Sequence, residues 1–206
     1  MISKDVLAEF VKIYSADDVG EFINTRPGET KFGEKISFLE KPKDLPGHPA
    51  KYVLLGIPED IGVRANYGNP GTAKAWERAL RSLLNIQYTT YNRAEDVLLL
   101  GEINCQRQME QADEISASET HSKEELGSLV MQIDHKVTAV IRSIVSSGKI
   151  PIIIGGGHNN SYGNIRGTSE GLNQKINCIN FDAHTDFRPL EHRHSGNGFS
   201  YACEDG

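Results

Sequence analysis

Three observations predict an α/β fold of three layers, with helices on both faces of a mainly parallel sheet. Four short apolar runs, Lys51–Ile57, Val97–Leu100, Ile150–Ile154 and Ile176–Phe181, are separated by segments of helical periodicity, and such alternation favours a parallel sheet. The runs are apolar throughout rather than every second residue, as strands covered on both faces are. Clusters of Gly, His and Asp follow directly on the last two runs, beyond the carboxyl ends of strands where open parallel sheets place their sites.

In chain order, Val6, Leu7, Phe10, Val11, Ile13 and Tyr14 fall on one helical face, with Ser3 available as an N-cap. Ser15-Ala16-Asp17-Asp18 has the form of a capping box opening a short second helix through Phe22 and Ile23. From Arg26 to Pro49 the chain holds four of its eight prolines and is expected as a surface connection wrapped on the domain, with a linker as the alternative. The expected division is therefore 1–50, N-terminal helices and wrapping loop, and 51–206, the α/β domain. After a glycine-rich loop from Gly62 to Gly71, Thr72 begins a helix carrying Trp76, Ala79, Leu80, Leu83 and Leu84 at i, i+3, i+4, i+7 and i+8. Ser122-Lys-Glu-Glu125 caps a long helix bearing Leu126, Leu129, Val130, Ile133, Val137, Val140, Ile141 and Ile144, which Gly148 ends from the C′ position.

Charge and composition exclude several functions. With 22 Lys+Arg against 28 Asp+Glu, the 206-residue chain carries a formal charge of −6. The loose set Lys31, Lys35, Lys41 and Lys43 is no basic stripe, so no nucleic-acid partner is expected. No apolar run approaches a membrane span, so no membrane partner is expected either, and the N-terminus lacks a signal-peptide core. The cysteines, Cys105, Cys178 and Cys203, form an odd set without a C-x-x-C pair, which points to a reduced, cytoplasmic protein.

Gly155-Gly-Gly-His158 follows the third apolar run. Glycines there admit a sharp turn and a close neighbour, although a tight turn with an incidental histidine would have the same appearance. Asp182-Ala-His184-Thr-Asp186 follows the fourth run. In an extended segment, Asp182, His184 and Asp186 would share one side. Two carboxylates and an imidazole in one pocket repel or compete unless a cation sits among them. Imidazole and carboxylate without thiolate suit Mn2+, and also Fe2+, Zn2+ or Co2+. A carboxylate such as Asp182 can bridge two ions, and paired ions acidify a shared water for hydrolysis.

These residues resemble the ureohydrolases: arginase, agmatinase, formimidoylglutamase and related amidine hydrolases. The resemblance rests on Gly-Gly-Gly-His158, on Asp182-Ala-His184-Thr-Asp186 and on Ser195-Gly-Asn197, and runs from about Tyr52 to Gly206. It implies an arginase-like fold. It further implies that His158 and Asp186 bind one manganese, that His184 binds the other, that Asp182 bridges them, and that a hydroxide held between two Mn2+ ions attacks an amidine carbon. In the arginase branch a histidine lies two residues after the asparagine of Ser-Gly-Asn; Phe199 stands there instead. The loop Gly62-Val-Arg64-Ala-Asn66 and the segments Asp186-Phe-Arg188 and Ser195-Gly-Asn197-Gly-Phe199 look like the formimidoylglutamase branch.

Its substrate carries two carboxylates, which a guanidinium can grip through two hydrogen bonds, making Arg64 and Arg188 substrate-binding candidates with Asn197 as a polar positioning group. His192 and His194 lie within reach for proton transfer but are expected as solvated loop residues. No catalytic residue is assigned.

The family also uses a late Asp-x-Asp pair, and none follows Asp186. The resemblance therefore implies a chain corresponding to the N-terminal two thirds of the family's domain, with one ion held through His158, Asp182 and Asp186 and a second held weakly. The expected function is metal-dependent hydrolysis of a linear amidine C–N bond, of the kind that serves histidine catabolism. The alternatives are an agmatinase-like guanidino hydrolase and a metal-binding chain without turnover. A small amidine or guanidino molecule is the expected partner, and self-association into a homo-oligomer is open.

Overall fold

The computed structural model describes residues 6–115 and 122–206. The helix expected over Val6–Tyr14 divides: α1 (Val6–Phe10) is followed by a strand, β1 (Val11–Ile13), which pairs antiparallel with Ile103–Gly101. The expected Ser3 cap lies outside the described residues. In α2 (Ala16–Gly20), Asp18 accepts the Ser15 N–H at 2.7 Å and its hydroxyl at 2.6 Å, the Asp18 half of the cap read from the sequence. The segment 26–49 contributes a short strand, β2 (Ser37–Phe38), and buries Phe32, Ile36, Leu39 and Leu45.

The remaining strands are β3 (Tyr52–Ile57), β4 (Val97–Ile103) and β5 (Ile150–Gly155). The sheet runs β1-β4-β3-β5, with β2 also on β4; every pairing except β1 with β4 is parallel.

Its two faces carry separate cores. Val53, Leu55, Ile57, Leu98 and Leu100 meet α1 and the long helix α6 (Ser122–Ser146), while Leu54 and Leu99 meet Trp76, Leu80 and Leu84 of α4 (Ala75–Leu84). That is the three-layer arrangement, with each fully buried Leu or Ile contributing about 1.5–3 kcal/mol. The glycine-rich loop opens with α3 (Ile61–Ala65), and α5 (Gln106–Glu114) precedes α6. Gly148 ends α6 at φ 72°; its N–H bonds Val145 O at 2.9 Å and the Lys149 N–H bonds Ile144 O at 3.3 Å, the paired closure of a Schellman motif. Helix α7 (Asn160–Leu172) lies along α6, and α8 (Gly198–Glu204) follows the last loop.

The fourth expected strand does not form. Residues 176–181 are irregular, with Ile179 85% and Phe181 100% exposed. An apolar run becomes a strand only where a neighbour supplies ladder hydrogen bonds. Among the described residues no strand pairs with the outer edge of β5, where Ile150 and Ile152 are exposed. No described helix is long and apolar enough to cross a membrane.

Candidate metal centre

Two strand ends set the frame. β5 leads into Gly155-Gly-Gly-His158 and then α7, while parallel to it β3 leads through Pro58 into Glu59 and α3. Glu59 is wholly buried and occupies the space that the glycines leave. Its carboxylate accepts N–H groups from Ile61 at 2.8 Å, Gly157 at 3.2 Å, Asn159 at 3.1 Å and Asn160 at 2.7 Å. Burial raises its pKa, and those four donors pull the other way. A Cβ on Gly156 would lie 1.7 Å from Glu59 O, so only glycine permits this approach.

The frame holds His158 against the acidic segment. Single donor atoms of His158, Asp182 and Asp186 lie within 4.8 Å of one another. His158 Nδ1 is 3.1 Å from Asp186 Oδ2 and 3.6 Å from Asp182 Oδ2. Asp186 Oδ2 is buried and accepts no hydrogen bond, a costly state unless a proton or a cation lies between it and the imidazole. Asp186 also sits at φ 52°, a left-handed conformation that Asp tolerates better than most side chains.

The Asp182–Asp186 segment is bent rather than extended, so its three side chains do not share one side. The His184 N–H bonds Asp182 Oδ1 at 2.8 Å, and the His184 side chain is 85% exposed, outside the three-residue donor set, with Nδ1 3.3 Å from Asp182 Oδ1. Asp182 thus turns one oxygen to each histidine. Its pKa is lowered, first by the His184 N–H and then by the charge of His158.

An imidazole and two carboxylates, with a buried oxygen lacking a donor, fit a hard or borderline divalent cation. No thiol joins them: Cys105 is buried elsewhere in the core, and Cys178 and Cys203 are exposed and free.

The other sequence-selected residues are distributed around this set. Arg188 donates to Asn66 Oδ1 at 2.6 Å and pairs with Glu191 at 3.1 Å while remaining half exposed. Arg64 pairs with Asp60 at 2.8 Å and Asp113 at 2.5 Å. Asp60 also accepts the Gly71 N–H at 2.6 Å, closing the glycine-rich loop. Asn197 is completely buried, donating to His192 O at 3.0 Å and accepting from the His194 N–H at 3.1 Å.

His194 is a core residue rather than a solvated one, at 1% exposure. Its Nδ1 accepts the Gly196 N–H at 3.0 Å and its Nε2 lies 2.9 Å from Glu191, so Nε2 carries the proton; burial lowers its pKa. His192 Nε2 lies 3.1 Å from Ala65 O. Phe199 is buried, meets His158 edge-on at 5.7 Å and stacks on Phe187 at 5.7 Å.

Sequence reading missed Glu59, Asn159 and Arg193. The one available signal is positional: Glu59 directly follows a wholly apolar strand and Pro58, and two asparagines directly follow His158.

A model of the arginase family matches residues 50–206. The chain is 33% identical over 145 residues to the formimidoylglutamase of Geobacillus sp. strain WCH70, covering 68% of this chain and 37% of that one. It is 29% identical over 153 residues to the formimidoylglutamase of Chromobacterium violaceum, covering 74% and 42%. The chain thus spans less than half the length of these relatives, a smaller share than the two thirds expected. A crystal structure of Trypanosoma cruzi formiminoglutamase with Mn2+ superimposes with a TM-score of 0.55 at 24% identity, covering 84% of this chain and 52% of that one; the likeness is one of fold.

Proposed function

Because this chain belongs to the arginase family, we propose that it carries the metal-binding part of a formimidoylglutamase-like amidine hydrolase. The carrying observation is the convergence of His158, Asp182 and Asp186 around an Asp186 oxygen that accepts no hydrogen bond. These three residues would hold one Mn2+. Asp182, with an oxygen towards each histidine, would join that site to a weaker one at His184. Bound there, a divalent cation would supply Lewis acidity and acidify water for hydrolysis.

The protein's own groups would do the rest. Arg188, oriented by Asn66 and half exposed, would receive a substrate carboxylate, with Glu191 giving way. Arg64 and Asn197 would shape the substrate side from behind, Arg64 through Asp60 and the glycine-rich loop, Asn197 through the 192–197 loop. Phe199 would keep water from one edge of the His158 ring. An amidine that carries two carboxylates fits Arg188 better than a guanidine without one does.

One observation favours a second reading, a chain that binds metal without turnover: among the described residues the compact donor set contains three side chains, and His184 stands outside it.

Titration calorimetry with Mn2+, followed by incubation with N-formimino-L-glutamate, tests both. Mn2+ binding with release of formamide and glutamate is the expected result. Urea release from agmatine would favour the guanidino alternative, binding without turnover the second reading, and absence of Mn2+ binding would refute the site.

A further inference from the structure

Arg193 is 2% exposed, and all five of its N–H groups have acceptors. Nε donates to Asp134 Oδ2 at 2.8 Å and Nη2 to Asp134 Oδ1 at 3.2 Å, a two-pronged pair with α6. The second Nη2 hydrogen goes to Asn159 O at 3.1 Å, and Nη1 donates to Asn197 Oδ1 at 2.6 Å and His194 O at 3.1 Å. The rings of Tyr162 and Tyr201 lie 5.2 and 5.0 Å from Cζ. One planar cation therefore ties three segments together: the long helix, the residue directly after His158, and the loop that leads into α8 and Phe199.

We propose that Arg193 is a positioning residue for the metal centre, fixing His158 through its chain neighbour Asn159 and through Phe199, whose ring lies against the imidazole. The proposal rests on the reading of His158, Asp182 and Asp186 as metal ligands. Two features single out Arg193 from the other arginines. The bonds of Arg64 and Arg188 go to side chains, the buried Asp60 among them, and both arginines are partly exposed, whereas the buried Arg193 also reaches two backbone carbonyls that have to be held in register. Asn159 is gripped from its other side as well, its Nδ2 donating to Glu59. A buried anion and a buried cation thus clamp one residue beside a ligand. A lysine has three donors and no planar fork, so it keeps the charge but cannot reach all three segments.

The test is Arg193→Lys, read by calorimetric titration with Mn2+ and by the visible absorption of the Co2+-loaded protein, which reports ligand geometry. Substitution of residues that orient metal ligands typically weakens binding by about 10- to 100-fold, and a drop of that size with an altered Co2+ spectrum is expected. Ile144→Val, which trims the same helix at a fully buried position, is expected to lower Tm and leave Mn2+ affinity and the spectrum unchanged. Should Arg193→Lys fail to fold, Asn197→Ser removes one of the two Nη1 acceptors while leaving the Asp134 pair, and a loss of affinity in the same direction is expected. Mn2+ binding by the unsubstituted chain with equal affinity in the Arg193→Lys or the Asn197→Ser protein overturns the positioning role alone. An Ile144→Val protein weakened as much as the Arg193→Lys protein would also overturn it, as a global stability effect. Failure of the unsubstituted chain to bind Mn2+ or Co2+ overturns the ligand assignment and the positioning role with it.

Discussion

Gly155 and Gly156 are neighbours with opposite tolerances. A Cβ at Gly156 would lie 1.7 Å from the Glu59 carbonyl oxygen and 2.8 Å from its carbon; both partners are backbone, so neither can rotate aside. Relieving the contact requires a shift of about 1.3 Å or more, and overpacking of this kind costs about 1–3 kcal/mol. A shift of that size also breaks the Gly156 N–H bond to Ile57 O, now 2.9 Å, and the Gly157 N–H bond to Glu59 Oε1, now 3.2 Å. Each lost bond removes about 1 kcal/mol, more where a buried carboxylate loses a donor. Gly156→Ala should therefore destabilise by about 3–5 kcal/mol, or about 6–20 °C in Tm for a chain of this size.

At Gly155 the nearest atom to a new Cβ is the side-chain amide nitrogen of Asn160 at 3.4 Å, an ordinary contact. Gly155→Ala should stay within about 1 kcal/mol of the parent, helped by the reduced freedom of the unfolded chain. Because metal–ligand distances tolerate only about 0.2 Å, Gly156→Ala should also abolish tight Mn2+ binding, while Gly155→Ala keeps it. Thermal melts followed by circular dichroism, paired with Mn2+ titrations, read both effects. Equal Tm values for the two variants, or parental Mn2+ affinity in Gly156→Ala, would refute the close-approach argument.

Further tests address other parts of the molecule. His194 has its pKa lowered by burial from 6.5, so below pH 6.5 the unfolded chain takes up a proton that the folded one refuses. Stability should fall with pH there, by up to about 1.4 kcal/mol per pH unit, until the folded pKa is reached. Glu59 and Asp134, raised by burial, give the opposite slope at lower pH; urea denaturation of His194→Gln beside the parent isolates the histidine, and identical pH profiles would refute its role. Asp186→Asn should keep the fold, since Asn accepts the left-handed φ of 52°, but lose at least tenfold in Mn2+ affinity by the size of ligand-shell effects; calorimetry and a melt separate the two. The edge of β5 that no strand covers among the described residues should make the chain associate as concentration rises, and Ile152→Lys, at a side chain already 42% exposed, should suppress this in sedimentation velocity; unchanged association would place the contact elsewhere.

What local pattern could reveal was the apolar runs of β3, β4 and β5, the amphipathic α4 and α6, the Asp18 cap and the Gly148 stop, because each depends on residues within a few positions of one another. Val11–Ile13 was misread because its helical spacing is real; pairing with Ile103–Gly101, remote in sequence, decides for a strand. Residues 176–181 show the converse: a strand-like composition without a partner leaves the backbone irregular. At the candidate site, the Gly-Gly-Gly-His and Asp-Ala-His-Thr-Asp motifs pointed to the donors, but the bend that sets His184 apart is a property of one loop's dihedral angles. Glu59, beyond its position after an apolar strand, and Arg193 were not legible as site residues because their partners lie 98 and 59 positions away.

Those two buried charges explain how so polar a site can sit behind an apolar sheet. A buried ion pair rarely stabilises a fold more than packed hydrocarbon of the same volume would, so stability alone does not account for Asp134 and Arg193. Their geometry does. Hydrocarbon at Arg193 would strand the buried Asp134 carboxylate and take one donor each from Asn159 O, His194 O and the Asn197 amide oxygen, each lost bond removing about 1 kcal/mol. Hydrocarbon at Glu59 would strand four N–H groups in the same way. The frame behind His158 is therefore held by directional polar contacts, whereas an apolar core of equal volume could repack. A ligand set that has to be held to a few tenths of an ångström needs that kind of support, and Gly156 and Gly157, where a Cβ would lie 1.7 Å from Glu59 O and 3.0 Å from Glu59 Oε1, are what allow Glu59 to come close enough to give it.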